Sequence, residues 1–277
     1  MKKVDVVINV YGKPWQTLCT LKSLMKHSSK HIDKIFLIKE KEQPYNEEID
    51  WIYSYFDNLI VYTPINYNFI NRNININNDS DRHGVRYQYG FENSDKDYVF
   101  ITHNDVLYTD DIIGDMINLI GDSVGIGQIG QCWNCPAKNK NLCNGDKFYE
   151  WNPTYEDVVS LELPHIRTNI QNVDSLNPKP MPECRLNEWS CLINRNISNK
   201  ETYPNGNTPL FGTYGVDLGT LWFKSLHLKG YKFVDYSKNF IHSYWSEISN
   251  GYQTQLNKDL YDKSEENAKK YYDINFV

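Results

Sequence analysis

Short apolar runs, each closed by glycine or a polar break, alternate along the first half of the chain with segments whose apolar residues recur at helical spacing. Residues 4–10 (VDVVINV) are read as a buried strand ending at the turn Tyr11-Gly12-Lys13-Pro14, and Pro14 suits the first turn of a helix. Trp15, Leu18, Cys19, Leu21, Leu24 and Met25 then follow mostly helical spacing. Residues 35–38 predict a second strand. Ile49, Ile52, Tyr53 and Phe56 predict a short amphipathic helix, and residues 59–62 a third strand. Such a β-α-β-α-β order implies a parallel sheet with helices on its faces.

The next strand organises the rest. In residues 97–111 (DYVFITHNDVLYTDD) an apolar run breaks abruptly into His103-Asn104-Asp105. Tyr, Val, Phe and Ile fit a strand covered on both faces. Ligands of open α/β sheets bind just outside the carboxyl ends of strands, so Asp105 is expected at the rim of a cleft. A carboxylate at this place can also serve only as a cap or a solvated loop residue.

Between these segments, residues 66–79 are Asn-rich and read as a long loop, functional or mobile. Asp81-Arg82-His83-Gly84 starts a helix carrying Arg82, His83 and Arg86 towards the sheet. Ile112 to Ile120 predicts a further helix. Residues 124–129 (VGIGQI) predict a strand whose glycines admit a close approach by backbone or ligand. Residues 130–210 hold five of the six cysteines with many prolines and little periodicity, and read as a loop-rich insertion. Regular structure is expected again as a helix over 215–228, a strand over 231–234, and a charged surface helix over 258–272. No internal repeat is present. The organisation is read as one domain: a nucleotide-binding half (1–129), the loop-rich region (130–210) and an acceptor or catalytic half with the tail (211–277).

Charge and composition narrow the class. A formal net charge of -6 speaks against a dedicated nucleic-acid binder, which carries a basic face. No run reaches the roughly 18 apolar residues of a bilayer span, and the start lacks a signal-peptide cleavage region. A cytoplasmic location is expected, with peripheral membrane attachment compatible. The 21 tyrosines, 11 phenylalanines and 7 tryptophans suit a cleft for flat bases or sugar rings, and equally a compositional bias.

With these residues in place, the chain resembles glycosyltransferases of the GT-A fold, nearest in pattern to the family 2-like enzymes. VVINVYGKPWQTLCTLKSL resembles their opening strand, turn and helix. The stretch RHGVRYQYGFENSDKDYVFITHNDVLY resembles the approach to their metal-binding Asp-x-Asp, and YGVDLGTLWFKSLHLKGYKF the helix after the catalytic loop. The resemblance implies a Rossmann-like, mostly parallel α/β sheet flanked by helices, interrupted here by the Cys-containing insertion. It implies transfer of a sugar from a nucleoside-diphosphate sugar, UDP or GDP type, to a hydroxyl of a glycan or polysaccharide acceptor, with inversion and a divalent cation. By the same resemblance Val10, Tyr11, Glu40, Asn104 and Asp105 would meet the nucleotide sugar, and Asp105 with His242 the metal; Arg82 and His83, carried towards the sheet, are candidates for the donor's phosphates or nucleoside, with a solvated arginine the alternative. Two departures stand out. Only the last carboxylate of the Asp-x-Asp is kept, and the acidic pair before the late helix falls on Tyr214-Gly215, with Asp217 the following carboxylate.

The chemistry sets matching demands. A leaving diphosphate gains charge, which a divalent Lewis acid offsets, and carboxylate and phosphate oxygens suit Mg²⁺ or Mn²⁺. The acceptor hydroxyl needs a carboxylate base; Asp217 is the first candidate and Glu188 the second. Asp217 reads equally as a helix-capping acid, and His242 as a packed histidine. Cys132, Cys135, Cys143 and Cys184, with Cys191 as substitute, form a C-x₂-C with partners that in a reducing compartment suits structural Zn²⁺; unliganded thiols are the alternative. Two other functions stay open: a nucleotidyltransferase, for which VYGKPWQT is a poor phosphate loop, and a catalytically degenerate nucleotide- or sugar-binding module.

Overall fold

Seven consecutive buried positions mark β1 (Val4–Val10) as a strand covered on both faces. The computed structural model describes residues 2–66, 74–130, 135–161, 170–248 and 251–277. Eight further strands follow: β2 (Ile32–Lys39), β3 (Leu59–Tyr62), β4 (Tyr98–Thr102), β5 (Val106–Tyr108), β6 (Gly125–Ile129), β7 (Leu186–Asn194), β8 (Phe233–Asp235) and β9 (Phe240–His242). Seven of them form one sheet in the order β3-β2-β1-β4-β7-β6-β8, while β5 and β9 pair separately. Within the large sheet β7 runs against both neighbours, and the other pairings are parallel. The result is a mixed α/β architecture, a mostly parallel sheet flanked by helices, as the order of strands and helices in the sequence implied.

Two apolar cores lie on the two faces of the sheet. Val6, Ile8 and Phe100 belong to one, with Leu18 and Leu21 of the first helix, α1 (Pro14–Ser28). Val7, Val99 and Ile101 belong to the other, with Trp222 and Phe223 of the helix Thr220–Leu228. The alternation is the two-residue period of the strand.

Several expectations change in detail. The loop-rich reading of 130–210 missed β7, which fills the middle of the sheet. Eight of its nine positions are buried, so no polar alternation betrayed it. The glycines of 124–129 accept a close approach by that strand: a Cβ on Gly127 would lie 2.7 Å from the Cβ of Cys191. Ile49 to Phe56 form a 3₁₀ segment, Asp50–Tyr55, and the late helix starts only at Thr220. The tail is more than a surface helix. Lys258–Asn275 buries Tyr261, Ser264, Glu265, Ala268 and Tyr272, and packs against α1.

Candidate functional site

The turns that follow β1, β2 and β4 meet at the carboxyl ends of these strands. They line a cleft of ≈ 240 Å³ with Tyr11, Lys13, Glu40, Arg86, Asn104 and Asp105 among its walls. The topology makes this place, because parallel strands leave their loops on one edge.

The first of these turns follows β1. Gly12 and Lys13 both take positive φ, +65° and 57°. A side chain on Gly12 would collide with Pro44 and the Tyr261 hydroxyl, so glycine is required there. Lys13 tolerates the left-handed region because its backbone is held on both sides. Its amide donates to the Tyr261 hydroxyl at 2.8 Å, and its carbonyl accepts from the Thr17 hydroxyl at 2.7 Å. Its ammonium is thereby aimed inward and donates to Asp105 Oδ2 at 2.8 Å, with both side chains at most 5% exposed.

A second turn follows β4. Asn104 donates to the Gly12 carbonyl at 3.1 Å and to the Thr17 hydroxyl at 3.2 Å, tying the two loops together. Asp105 is 3% exposed. Burial alone would raise its carboxyl, yet Lys13, His242 and His103 hold it well below the usual range. Its Oδ1 makes no hydrogen bond and is approached by His242 Nε2 at 3.4 Å and His103 Nδ1 at 3.9 Å.

His242 arrives through the small sheet, where Val106 pairs with His242 and so brings it beside Asp105. Burial pushes the His103 imidazole below its ordinary value, against the pull of Glu188 and Asp105. The ligating atoms of His103, Asp105 and His242 lie within 4.8 Å of one another. An orphaned buried carboxylate oxygen facing two imidazole nitrogens is a donor set that fits a divalent cation.

Behind this cluster runs a buried charged network. His103 Nε2 lies 3.4 Å from Glu188 Oε1, and Arg185 Nη1 lies 3.4 Å from Glu188 Oε2 and 3.0 Å from Asp217 Oδ1. Burial would raise the Glu188 carboxyl, but Arg185 and His103 bring it down to about 2. The two candidate bases therefore share one guanidinium. Asp217 lies in the turn before the helix Thr220–Leu228, and its carboxylate accepts from the Leu218 amide at 2.8 Å.

The other expected residues divide. Tyr11 and Glu40 line the cleft, and Arg86 Nη2 lies 3.6 Å from Glu40 Oε1. Val10 is a core residue beneath them, its carbonyl accepting the Glu40 amide. Arg82 and His83 lie outside the cleft's walls. Glu92 takes both: Arg82 is also bound by Asp79 and the Ile76 carbonyl, which accounts for its burial, and His83 Nε2 lies 2.8 Å from Glu92. Cys132 is outside the described residues. Cys135, Cys143 and Cys184 pack around one apolar cluster, and among the described residues no three cysteine thiols gather within reach of one ion. Cys191 is buried in β7. Lys13, His103 and Gln255 are cleft residues that the sequence did not single out.

No family model matches the chain, and no curated protein matches it in sequence. Solved structures are similar to it in three dimensions rather than in sequence. The mannosyltransferase PcManGT from Pyrobaculum calidifontis, in complex with GDP-Man and Mn²⁺, is 9% identical over 85% of this chain and 55% of its own, with a TM-score of 0.49. The galactosyltransferase LgtC, with donor and acceptor sugar analogues, is 15% identical over 72% of this chain and 60% of its own, TM-score 0.39. TarS of S. aureus, with UDP-GlcNAc, is 12% identical over 46% of this chain and 34% of its own, TM-score 0.34. The chain thus spans less than two thirds of the length of each. Among the described residues, no helix is long and apolar enough to cross a membrane.

Proposed function

We propose that the chain is a glycosyltransferase that moves a sugar from a nucleoside-diphosphate donor to a hydroxyl of a glycan acceptor. One observation carries this reading: the buried Asp105 carboxylate at the end of β4 turns an oxygen that makes no hydrogen bond towards two histidines, in the wall of a cleft at the carboxyl edge of the sheet. The nucleoside is assigned to the side formed by Tyr11, Glu40 and Arg86, where an aromatic face and a carboxylate suit a base and ribose hydroxyls.

His103, Asp105 and His242 would hold a divalent cation, Mn²⁺ or Mg²⁺. When bound, such an ion offsets charge building on the leaving diphosphate. The chain's own residues supply the rest. Lys13 adds a positive charge to the same cleft, held on Asp105 Oδ2, and Asn104 fixes the loop that carries Asp105.

Asp217 is the better base of the two candidates. Its side chain is 15% exposed against 5% for Glu188, so an acceptor can reach it. Glu188 is a poor proton acceptor, since burial is outweighed by Arg185 and His103 and its carboxyl stays near 2. Its role is to orient His103. In the reaction the acceptor oxygen bonds to the anomeric carbon, the carbon–oxygen bond to the diphosphate breaks, and the acceptor's proton passes to Asp217. A single displacement of this kind inverts the anomeric centre.

The test is donor turnover. UDP- and GDP-linked sugars are incubated with the protein and Mn²⁺, and nucleoside diphosphate release is followed. Release from one donor class, stimulated by a glycan acceptor, supports the assignment. No release from any donor contradicts it and leaves a binding module as the reading.

A further inference from the structure

We propose that Lys13 makes divalent-cation binding at Asp105 conditional on the nucleoside diphosphate, by neutralising the cluster's single carboxylate until the diphosphate draws its ammonium away. The inference rests on the nucleotide-sugar reading above and adds a residue and a binding order to it.

The placement of Lys13 is built in. The residue is 4% exposed, and its left-handed backbone is fixed by the Tyr261 hydroxyl on one side and by Thr17 on the other. Tyr261 comes from the C-terminal helix, 248 residues along the chain. A solvated lysine at a turn has no use for such anchoring. Here it delivers the ammonium to Asp105 Oδ2 at 2.8 Å inside the cleft.

Of the three clustered residues only Asp105 contributes a negative charge, because metal-binding imidazoles are neutral ligands. Lys13 cancels that charge. A dication arriving alone at Oδ1 would meet a carboxylate whose charge is already offset by the ammonium on its other oxygen, Oδ2. A nucleoside diphosphate changes this in two ways. Its oxygens complete the negative charge that a dication requires, and they offer a flexible lysine a new partner. The other cation of the cleft, Arg86, is already engaged by Glu40. Two ligands that each remove the obstacle to the other bind with positive coupling, and the coupling is reciprocal.

The experiment titrates Mn²⁺, followed as free Mn²⁺ by electron paramagnetic resonance, into wild type, Lys13→Met and Lys13→Arg, alone and with saturating UDP or GDP. Wild type should bind Mn²⁺ at least about tenfold tighter with the matching nucleotide than without it. Lys13→Met should bind Mn²⁺ alone about tenfold tighter than wild type and show a weaker dependence on nucleotide. Lys13→Arg, which keeps the charge, should follow wild type. Equal Mn²⁺ affinity of wild type with and without nucleotide overturns the coupling by itself, whether or not the variants fold. Lys13→Met binding Mn²⁺ alone no tighter than wild type also overturns it; in both cases nucleotide binding leaves the nucleotide-sugar reading intact. Absence of UDP and GDP binding under every condition overturns that reading and this inference together.

Discussion

Trp189 touches both histidines of the cluster. Its ring stacks on His242 with centroids 4.7 Å apart and planes at 23°, and its carbonyl accepts the His103 amide at 3.2 Å. A ligand held in one orientation loses less freedom on binding, and partners behind a metal site commonly govern affinity by about 10–100-fold. Trp189→Leu should therefore weaken nucleotide-supported Mn²⁺ binding by about tenfold or more. Titration of Mn²⁺ into the folded variant, with its thermal midpoint as control, checks this.

The Lys13–Asp105 pair is a buried ion pair, and its two ends are not equivalent to remove together or singly. Asp105→Asn leaves the ammonium of a lysine whose side chain is 5% exposed without its counter-charge. Breaking such a pair costs about 3–5 kcal/mol, whereas replacing both partners is far milder. Urea unfolding should show a large loss for Asp105→Asn and a substantial recovery in Lys13→Met with Asp105→Asn. Equal instability of the single and double variants would contradict the pairing.

The two carboxylates on Arg185 are separated by kinetics. Asp217→Asn should lower kcat by about 10²–10⁴-fold with little change in KM for the donor. Glu188→Gln should act through His103, weakening Mn²⁺ affinity and stability before it touches kcat. The reverse pattern would exchange their roles.

The C-terminal helix carries a titratable device of its own. Glu265 accepts from the Trp15 amide at 2.8 Å and from Gln16 Nε2 at 3.0 Å. Burial is the largest influence on its carboxyl and raises it from 4.5 to about 7. A carboxyl raised in the folded state contributes stability below its unfolded value, and that contribution is lost as pH rises through its folded value. Gln16 Oε1 is buried without a partner and can receive an amide after rotation of its own side chain. Glu265→Gln should thus be the more stable form above pH 7, by about 1–3 kcal/mol, with the difference vanishing towards pH 4.5. Unfolding free energies across that window read it directly.

The sequence announced the elements whose apolar pattern is self-contained. β1, β4 and α1 were visible because a buried run closed by a polar break has one simple reading, and Asp105 was found from such a break. β7 was not visible: LNEWSCLIN mixes buried polar residues with apolar ones, since Asn187 is hydrogen-bonded to Arg185 and to backbone carbonyls and Glu188 is ion-paired with Arg185 inside the sheet. His242 was placed through resemblance, and its contact with Asp105 depends on a three-residue pairing far apart in sequence. Lys13 was passed over because a lysine in a turn ordinarily faces solvent. Arg82 and His83 were credited to the cleft from proximity in the chain, whereas the pull of Glu92 decides where they sit.

Under the proposed function Asp105 anchors a metal-dependent site for a nucleoside diphosphate. A thermal-shift panel of UDP, GDP, dTDP, CDP and CMP, each with and without Mn²⁺, on wild type and Asp105→Ala, tests it most directly. Ligand that binds only the folded state raises the midpoint. The expected result is a Mn²⁺-dependent rise with a nucleoside diphosphate, UDP or GDP, absent in Asp105→Ala. No rise with any nucleotide, or the same rise in Asp105→Ala, would contradict it.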